Sequence, residues 1–448
     1  MAFDLRRADT ICAPATARGR GAIAIVRLSG PSAVAVRDAV FRGKAAARDR
    51  VAVYGDVVDA HGRPFDDAVC TTFLGPRSLT GEDTVELCVH GGAVVTDTLM
   101  ARLVELGCRV AEPGEFTLRA VLAGKLDIAR AEAVAAVIDA RTERALRAAQ
   151  RALRGGLHDA IAGPRAVIVD ALAELEARLD FPDEPLGDAR RDELAVRVRE
   201  AGAQVERLVD DARRGRRLHD GARVVLWGAP NAGKSTLLNA LVGRERALVD
   251  DAPGTTRDSL EVMVDLGGVP TTLIDVAGIR DGDDVARVER SGIERARSEV
   301  LAADVVVVVR PADGPPAPPL PDEAVATVIG IRSKADLAKN NGDDGGLWVC
   351  AHTGLGLGAL RAAIANALGA GDGEDDEPPL AHTARQEQTL DDAAAALACA
   401  ASALNDGVPD ELVCSELRRA ARATDALLGS DVAEDVLNLV FSRFCIGK

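Results

Sequence analysis

The chain has 448 residues, 47% hydrophobic but only 2% aromatic, with a formal net charge of −16; that length suits about three domains whose cores rest on Ala, Leu and Val. The acidic balance excludes DNA or RNA binding by bulk electrostatics, so any RNA contact must be local. No apolar run reaches the roughly 18 residues of a membrane span, the N-terminus lacks the apolar core of a signal peptide, and the eight scattered cysteines show no zinc spacing, so free thiols in the cytoplasm are expected.

Residues 1–122 predict an α+β unit. Ala22–Leu28 reads as a strand bounded by Gly21 and Gly30, and Val85–Val89 alternates before His90, Gly91 and Gly92. Over 123–220 the period turns helical: Leu146, Leu153, Leu157, Ile161, Ile168, Leu172, Leu175 and Leu179 recur at three, four or seven. Phe181 to Pro185 breaks that helix. Across 221–371 short apolar strands alternate with helices: Arg223–Trp227, Thr271–Ile274, Val305–Val309, Ala326–Ile331 and Leu347–Cys350. That alternation predicts a mostly parallel sheet with crossover helices. An acidic, Gly- and Pro-rich stretch from Gly369 to Pro379 leads out, and 384–444 is helical again. The economical arrangement is one helical domain with an α/β domain inserted into it. Two arginine series, Arg213, Arg214, Arg216 and Arg217, and Arg141, Arg144, Arg147, Arg151 and Arg154, are expected to be solvated helix faces or linker rather than RNA contacts.

Chain ends usually fray. This one follows an apolar run (Val436, Leu437, Leu439, Val440, Phe441, Phe444) and stops on Cys445, Ile446, Gly447 and Lys448. It reads as docked, bringing a thiol and an ammonium to one place; the plainer alternative is a cysteine buried as a small hydrophobe.

Gly228 to Ser235 fits G-x-x-x-x-G-K-[ST] between a strand and a helical run, the context that marks a phosphate-binding loop. Its glycines let backbone N–H groups face phosphate oxygens, Lys234 reaches the β/γ-phosphates, and Ser235 ligates Mg²⁺. Three further elements follow in order. Thr255 and Thr256 offer a second hydroxyl to Mg²⁺. Asp275 to Gly278 ends an apolar strand as the Mg²⁺-side aspartate and γ-phosphate glycine. Ser333, Lys334, Ala335 and Asp336 sit where a guanine-reading loop belongs. The Asp336 carboxylate accepts both N1–H and N2–H of guanine, a donor pair adenine lacks, so GTP is favoured over ATP. Ile279 stands where Ras-like enzymes carry a water-orienting Gln. Either a carboxylate among Asp281, Asp283, Asp284 and Glu289 substitutes, or hydrolysis needs a partner. Arg257 and Arg280 are as well explained by surface pairing with Asp258 or Asp281 as by a finger role.

End to end, the chain resembles the MnmE (TrmE) family of bacterial tRNA-modification GTPases. The resemblance runs through Asp9-Thr10-Ile11, Gly19 to Gly21, Arg27 to Gly30, Leu79 to Asp83, His90 to Gly92, Pro113 to Thr117, Gly124 to Asp127, Asp180 to Glu184, the GTPase motifs, and Phe444 to Lys448. It implies an N-terminal α+β tetrahydrofolate-binding and dimerisation domain (1–122), an all-α helical domain (123–220 and 372–448), and an inserted Ras-like P-loop GTPase domain (221–371). It implies a homodimer working with an FAD-dependent partner, MnmG, as a heterotetramer. Together they would add a carboxymethylaminomethyl or aminomethyl group at C5 of the wobble uridine of tRNA. The carbon would come from 5-formyl- or 5,10-methylene-tetrahydrofolate.

By motif matching, the resemblance assigns nucleotide contacts to Asn231, Ala232, Gly233, Lys234, Ser235 and Thr236, then to Asp250, Asp251, Ala252, Pro253, Gly254, Thr255 and Thr256. Asp275, Val276, Ala277 and Gly278, then Ser333 to Asp336, then Cys350, Ala351 and His352 complete that set. It assigns K⁺ to Asn231 and to the loop around Asp250, Ala252 and Thr255, where a cation offsets developing charge as an arginine would. Glu289 matches the water-positioning glutamate, Cys445 an essential cysteine, and Arg27, Glu86, Lys125 and Lys448 the folate contacts. Departures from the family pattern are Ser333 for the usual Asn, Val276 for Thr, Cys350 for Ser, and about two extra residues between Gly278 and Glu289. Loss of the Asn amide is expected to remove a brace of loop and base and to weaken GTP binding, with specificity kept by Asp336. Two other readings compete: an RNA-binding ribosome-assembly GTPase, and a GTPase that no longer turns over.

Overall fold

The computed structural model describes residues 9–45, 48–180, 188–243, 261–276, 294, 296–312, 314–323, 326–337, 346–370, 377–429, 437, 440–441, 444 and 446–447. Two compact units divide the chain: 1–135 with 425–448, and 136–424.

The first unit holds a seven-stranded sheet in the order β3-β4-β5-β6-β2-β1-β7. Its strands are β1 (Ile11–Pro14), β2 (Ile23–Ser29), β3 (Phe41–Gly43), β4 (Val53–Val58), β5 (Pro64–Phe73), β6 (Thr84–His90) and β7 (Arg109–Val110). All neighbours run antiparallel except β1 and β7. Period-2 alternation decides the faces. Val26, Leu28, Val85 and Leu87 point into a core with Leu99 and Leu103, while Arg27 and Glu86 take the opposite face. Helices α1 (Ala33–Val40) and α2 (Ala93–Glu105) cover the core side. After α3 (Glu115–Leu122), the start of α4 (Ile128–Asp139) packs with the chain end: Leu118, Ile128 and Ala131 bury Leu437, Val440, Phe441 and Phe444. The docked end expected from that apolar run is therefore present.

The second unit joins long helices to an α/β sheet. Helices α5 (Glu143–Leu153), α6 (Gly156–Asp180) and α7 (Asp188–Asp220) precede the sheet, and α10 (Ala384–Asn405) and α11 (Asp410–Leu428) follow it. On α7 the buried Leu194, Val198, Ala201, Val205 and Val209 recur every three or four residues, the stripe that one packed face requires. Alpha-10 supplies Leu390, Leu397 and Leu404 as its own buried stripe. The break at Phe181 to Pro185 lies outside the described residues.

The sheet order is β13-β12-β11-β8-β10-β9. Its strands are β8 (Ala222–Trp227), β9 (Glu261–Leu266), β10 (Val269–Asp275), β11 (Val305–Pro311), β12 (Thr327–Ser333) and β13 (Leu347–Val349). Helices α8 (Lys234–Val242) and α9 (Leu357–Ala367) pack against it. All pairings are parallel except β9 with β10. The expected parallel sheet is there, and the sequence reading missed only the edge strand β9. Its signal was present: Glu-Val-Met-Val-Asp-Leu alternates, and Gly267-Gly268, both at positive φ, make the hairpin turn.

Several arginines of the two series make ion pairs or backbone contacts. Arg213 bridges Asp210, Glu387 and Asp391, and Arg216 reaches Glu387, tying α7 to α10. Arg144 donates to the carbonyl of Gly267, and Arg151 pairs with Glu377.

Candidate functional site: a phosphate loop and a tail-docked ion pair

The loop between β8 and α8 is set by backbone geometry. Asn231 and Gly233 take left-handed conformations with φ of 62° and 91°. A Cβ on Gly228 would lie 2.4 Å from the carbonyl oxygen of Val309, so no side chain fits where the loop passes β11. Gly233 opens α8, so the helix N-terminus and its free N–H groups border the loop, a natural seat for an anion. Lys234 is only 4% exposed. Its Nζ donates to the carbonyls of Gly228 at 2.8 Å and Ala229 at 2.9 Å. Burial pulls its pKa below the ordinary lysine value, against the opposing pull of Asp275.

Beta-10 runs parallel to β8 and ends on Asp275, whose side is wholly buried. Asp275 Oδ2 accepts from Ser235 Oγ. A hydroxyl and a buried carboxylate side by side are hard oxygen ligands, the donor chemistry that Mg²⁺ takes.

On the other side of the loop, β12 ends at Ser333, which is buried and whose Oγ donates to the Ala232 carbonyl at 2.7 Å. This corrects the expectation that replacing Asn removes the brace: the shorter hydroxyl still ties this strand end to the phosphate loop. Lys334 is left-handed at φ 57°, turning the chain so that Asp336 is exposed on a short 3-10 turn. The Cys350 thiol, buried just past β13, contacts Asp336 Oδ1 at 3.2 Å. Ala351 and His352 lie in the turn that follows, closed by bonds between Cys350, Gly354 and Leu355. Thr236 is an exposed residue of α8, and Val276 follows β10. The structure thus brings together Asn231 to Thr236, Asp275, Val276, Ser333 to Asp336 and Cys350 to His352 around the ends of neighbouring parallel strands. Asp250, Asp251, Ala252, Pro253, Gly254, Thr255, Thr256, Ala277, Gly278 and Glu289 lie outside the described residues.

A second charged corner sits in the first unit. Arg27 and Glu86 are register partners on β2 and β6. Arg27 Nε donates to Glu86 Oε1 at 2.9 Å, and its Nη1 donates to the Gly447 carbonyl at 3.2 Å. The guanidinium stands 5.6 Å from the Phe116 ring centroid. Gly447 has φ +96°, and a Cβ there would sit 2.1 Å from the Pro14 carbonyl oxygen. Only glycine lets the tail lie this close to β1. Lys125 is exposed, with its stem near Gly81. Cys445 and Lys448 lie outside the described residues.

Sequence reasoning missed the ionic network beside this corner. Arg119 Nη2 donates to Asp9 and Glu115 at 2.7 and 3.0 Å, and its Nη1 reaches Glu82 at 3.0 Å. Arg109 shares Asp9 and Glu115, while Ser29 Oγ donates to Glu82 at 2.7 Å. Burial alone would raise the Asp9 and Glu115 carboxyls, but the arginines hold both below their ordinary values. Glu115 and Arg119 are one turn apart on α3, but Asp9, Glu82 and Ser29 come from distant parts of the chain.

Comparison with known proteins adds three findings. The family model "MnmE helical domain" matches residues 128–445, and "GTP-binding protein TrmE N-terminus" matches residues 10–125. A tRNA modification GTPase MnmE of Methylobacterium radiotolerans is 43% identical over 457 residues, covering 99% of this chain and 100% of the relative. One of Symbiobacterium thermophilum is 41% identical over 459 residues, covering 98% and 99%. Among solved structures, Aquifex aeolicus Era bound to GDP and aluminium fluoride is 21% identical, covers 39% of this chain and 66% of its own, and has a TM-score of 0.26, too distant a likeness to carry an argument.

Proposed function

This chain belongs to the MnmE family of tRNA modification GTPases, and from that premise we propose that its GTP hydrolysis drives C5 modification of the tRNA wobble uridine. The observation that carries the reading is the convergence of buried Lys234, the Ser235–Asp275 pair and the Asp336 carboxylate around one loop. On this reading the loop N–H groups and Lys234 hold the β/γ-phosphates, and Lys234 exchanges its carbonyl partners for phosphate oxygens. Ser235 and Thr256 hold Mg²⁺, and Asp336 reads the guanine edge. Glu289 positions the attacking water. Asn231, Asp250, Ala252 and Thr255 hold K⁺. The two cations, when bound, would supply positive charge against the developing negative charge of the transition state.

The finer reading extends to the first unit. Arg27, Glu86, Lys125 and Lys448 are proposed to hold a tetrahydrofolate one-carbon donor. A partly exposed arginine–glutamate pair suits that ligand, because Arg recognises carboxylates and a carboxylate accepts from a pterin N–H edge. Cys445 would act beside it. The sheet face carrying Arg27 also exposes Ile23, apolar surface that fits a homodimer contact. An FAD-dependent MnmG partner, a cytoplasmic setting and the division at 122, 220 and 371 complete the proposal. Among the described residues no helix is long and apolar enough to cross a membrane.

Steady-state GTP hydrolysis in KCl against NaCl at equal ionic strength is the test. Strong stimulation by K⁺ is expected. Equal slow rates would overturn the K⁺-assisted mechanism. Unchanged wobble-uridine nucleosides by mass spectrometry after gene deletion would overturn the tRNA reading itself.

A further inference from the structure

In a chain of net charge −16 with one tyrosine, that tyrosine is 47% exposed on β4, next to the edge strand. Lys44 Nζ stands 4.5 Å from the Tyr54 ring centroid. Tyr54 Oη donates to Asp67 Oδ2 at 2.9 Å, which fixes the ring on β4. Farther along, the Arg50 guanidinium lies 5.6 Å from the Phe73 ring centroid and donates to the Arg77 carbonyl. Arg48 is exposed in the same connection between β3 and β4.

The local charge runs against that of the whole chain. Arg37 pairs with Asp38, Arg77 with Asp49, and Arg42 faces Asp56 in register. Lys44, Arg48 and Arg50 remain in excess over Asp66 and Asp67, the former paired with His90. Val69 lies opposite Tyr54, and Phe73 is four residues farther along β5, roughly 13 Å at strand rise. Aromatic rings with Lys and Arg beside them are the kind of groups that hold single-stranded RNA. Bases stack on aromatic faces while phosphates meet Lys and Arg.

We propose that this β3–β4 edge is a docking surface for an unpaired tRNA loop, with Tyr54 as the stacking platform and Lys44, Arg48 and Arg50 as phosphate contacts. The inference rests on the tRNA reading above and gives that substrate a place on this chain. It also reconciles RNA binding with an acidic protein, because the attraction is confined to one edge.

The test is fluorescence anisotropy of a labelled tRNA anticodon stem-loop against the full chain over a KCl series. The triple variant Lys44→Gln/Arg48→Gln/Arg50→Gln should lower the slope of log affinity against log salt by about 2, given roughly 0.7 per phosphate contact for single strands. Tyr54→Ala should weaken binding about tenfold and leave the slope alone, and Tyr54→Phe should restore affinity. GTP hydrolysis should be unchanged in all three. Should Tyr54→Ala fold poorly, Lys44→Glu, at an exposed position, repeats the charge test. Unchanged affinity and slope in the triple variant overturn the proposal. So does loss of self-association with RNA affinity intact, which would make the edge a contact for a second copy. A wild-type chain that binds no stem-loop also overturns it, while the wobble-nucleoside analysis judges the tRNA function separately.

Discussion

Around Lys234 the ammonium is held by two loop carbonyls, while the adjacent hydroxyl and carboxylate of Ser235 and Asp275 hold one another. Around Arg119 the charge is held by other charges: Asp9, Glu82 and Glu115 come from three separated stretches and meet one guanidinium. The first arrangement leaves groups that a polyanion can take over without breaking the fold, since carbonyl partners are easily exchanged. The second is committed, because a carboxylate stripped of its cation in a buried place is costly. One corner is built to bind and the other to brace, although both are dense in charge.

Removing Lys234 should break the first corner functionally and leave the second untouched. Lys234→Ala is expected to lower kcat/KM for GTP by about 100-fold or more, the scale of deleting one charge-stabilising donor, with the melting temperature little changed. A variant retaining near-normal hydrolysis would show that the carbonyl-bound lysine never transfers to phosphate.

Arg119→Ala should do the reverse. It leaves three carboxylates near one another with only Arg109 to share, so a loss of about 3–5 kcal/mol in unfolding free energy is expected, with GTP turnover per folded molecule preserved. Acid should expose the same network. Asp9 and Glu115 sit below their ordinary values of 3.8 and 4.5 in the folded chain. A carboxylate depressed on folding stabilises at pH above its unfolded value, and that contribution disappears as pH falls through the folded value. Wild-type stability should therefore fall away below about pH 4.5. In Arg119→Ala, where less is left to lose, the decline should be shallower. Parallel acid profiles from thermal melts would refute the network's role.

The same contrast explains what could be read in the chain. The phosphate loop is contiguous, and its chemistry follows from glycines, a lysine and a hydroxyl at fixed spacing after a strand, so Lys234, Ser235 and Asp275 were found by reasoning alone. The parallel sheet was legible because Val305–Val309 and its neighbours are short apolar runs between helical patterns. Beta-9 carries a fainter signal, because Met263 interrupts the polar positions of a short edge strand and the Gly267-Gly268 turn does most to mark it. The brace around Arg119 was illegible for a different reason. Apart from the Glu115–Arg119 pair one turn apart on α3, its members are single charged residues far apart, and only the fold brings Asp9, Glu82 and Arg109 to them. Arg27 and Glu86 came from the resemblance as separate folate contacts; that they pair follows only from their register on β2 and β6.

Gly447 tests whether the tail belongs to the brace or to the binding surface. A β-carbon there meets the Pro14 carbonyl, and the left-handed backbone adds about 1–2 kcal/mol for an L-residue. Gly447→Ala is expected to free the tail from Arg27, visible as faster carboxypeptidase trimming, with hydrolysis of GTP intact and wobble-uridine modification reduced. If trimming and modification both stay at wild-type levels, the tail tolerates displacement and its docking has no functional weight.

The smallest expected effect bears on Ser333, where the two kinds of interaction meet. Its hydroxyl is a brace, since it donates to the Ala232 carbonyl from a buried position, yet the resemblance sets it in place of an Asn amide expected to brace the base as well. Ser333→Ala leaves that carbonyl without its donor, a loss of about 1 kcal/mol or roughly fivefold in GTP affinity. Ser333→Asn keeps a donor on a longer arm and adds a second polar group toward the base, so GTP should bind tighter than in the wild type. The two substitutions separate the roles. Weakening by Ala with no gain from Asn would mean that Ser333 acts only on the loop, and that Asp336, steadied by Cys350, recognises guanine without its help. A gain from Asn with no loss from Ala would mean that the brace is dispensable and the base contact is what this chain lacks.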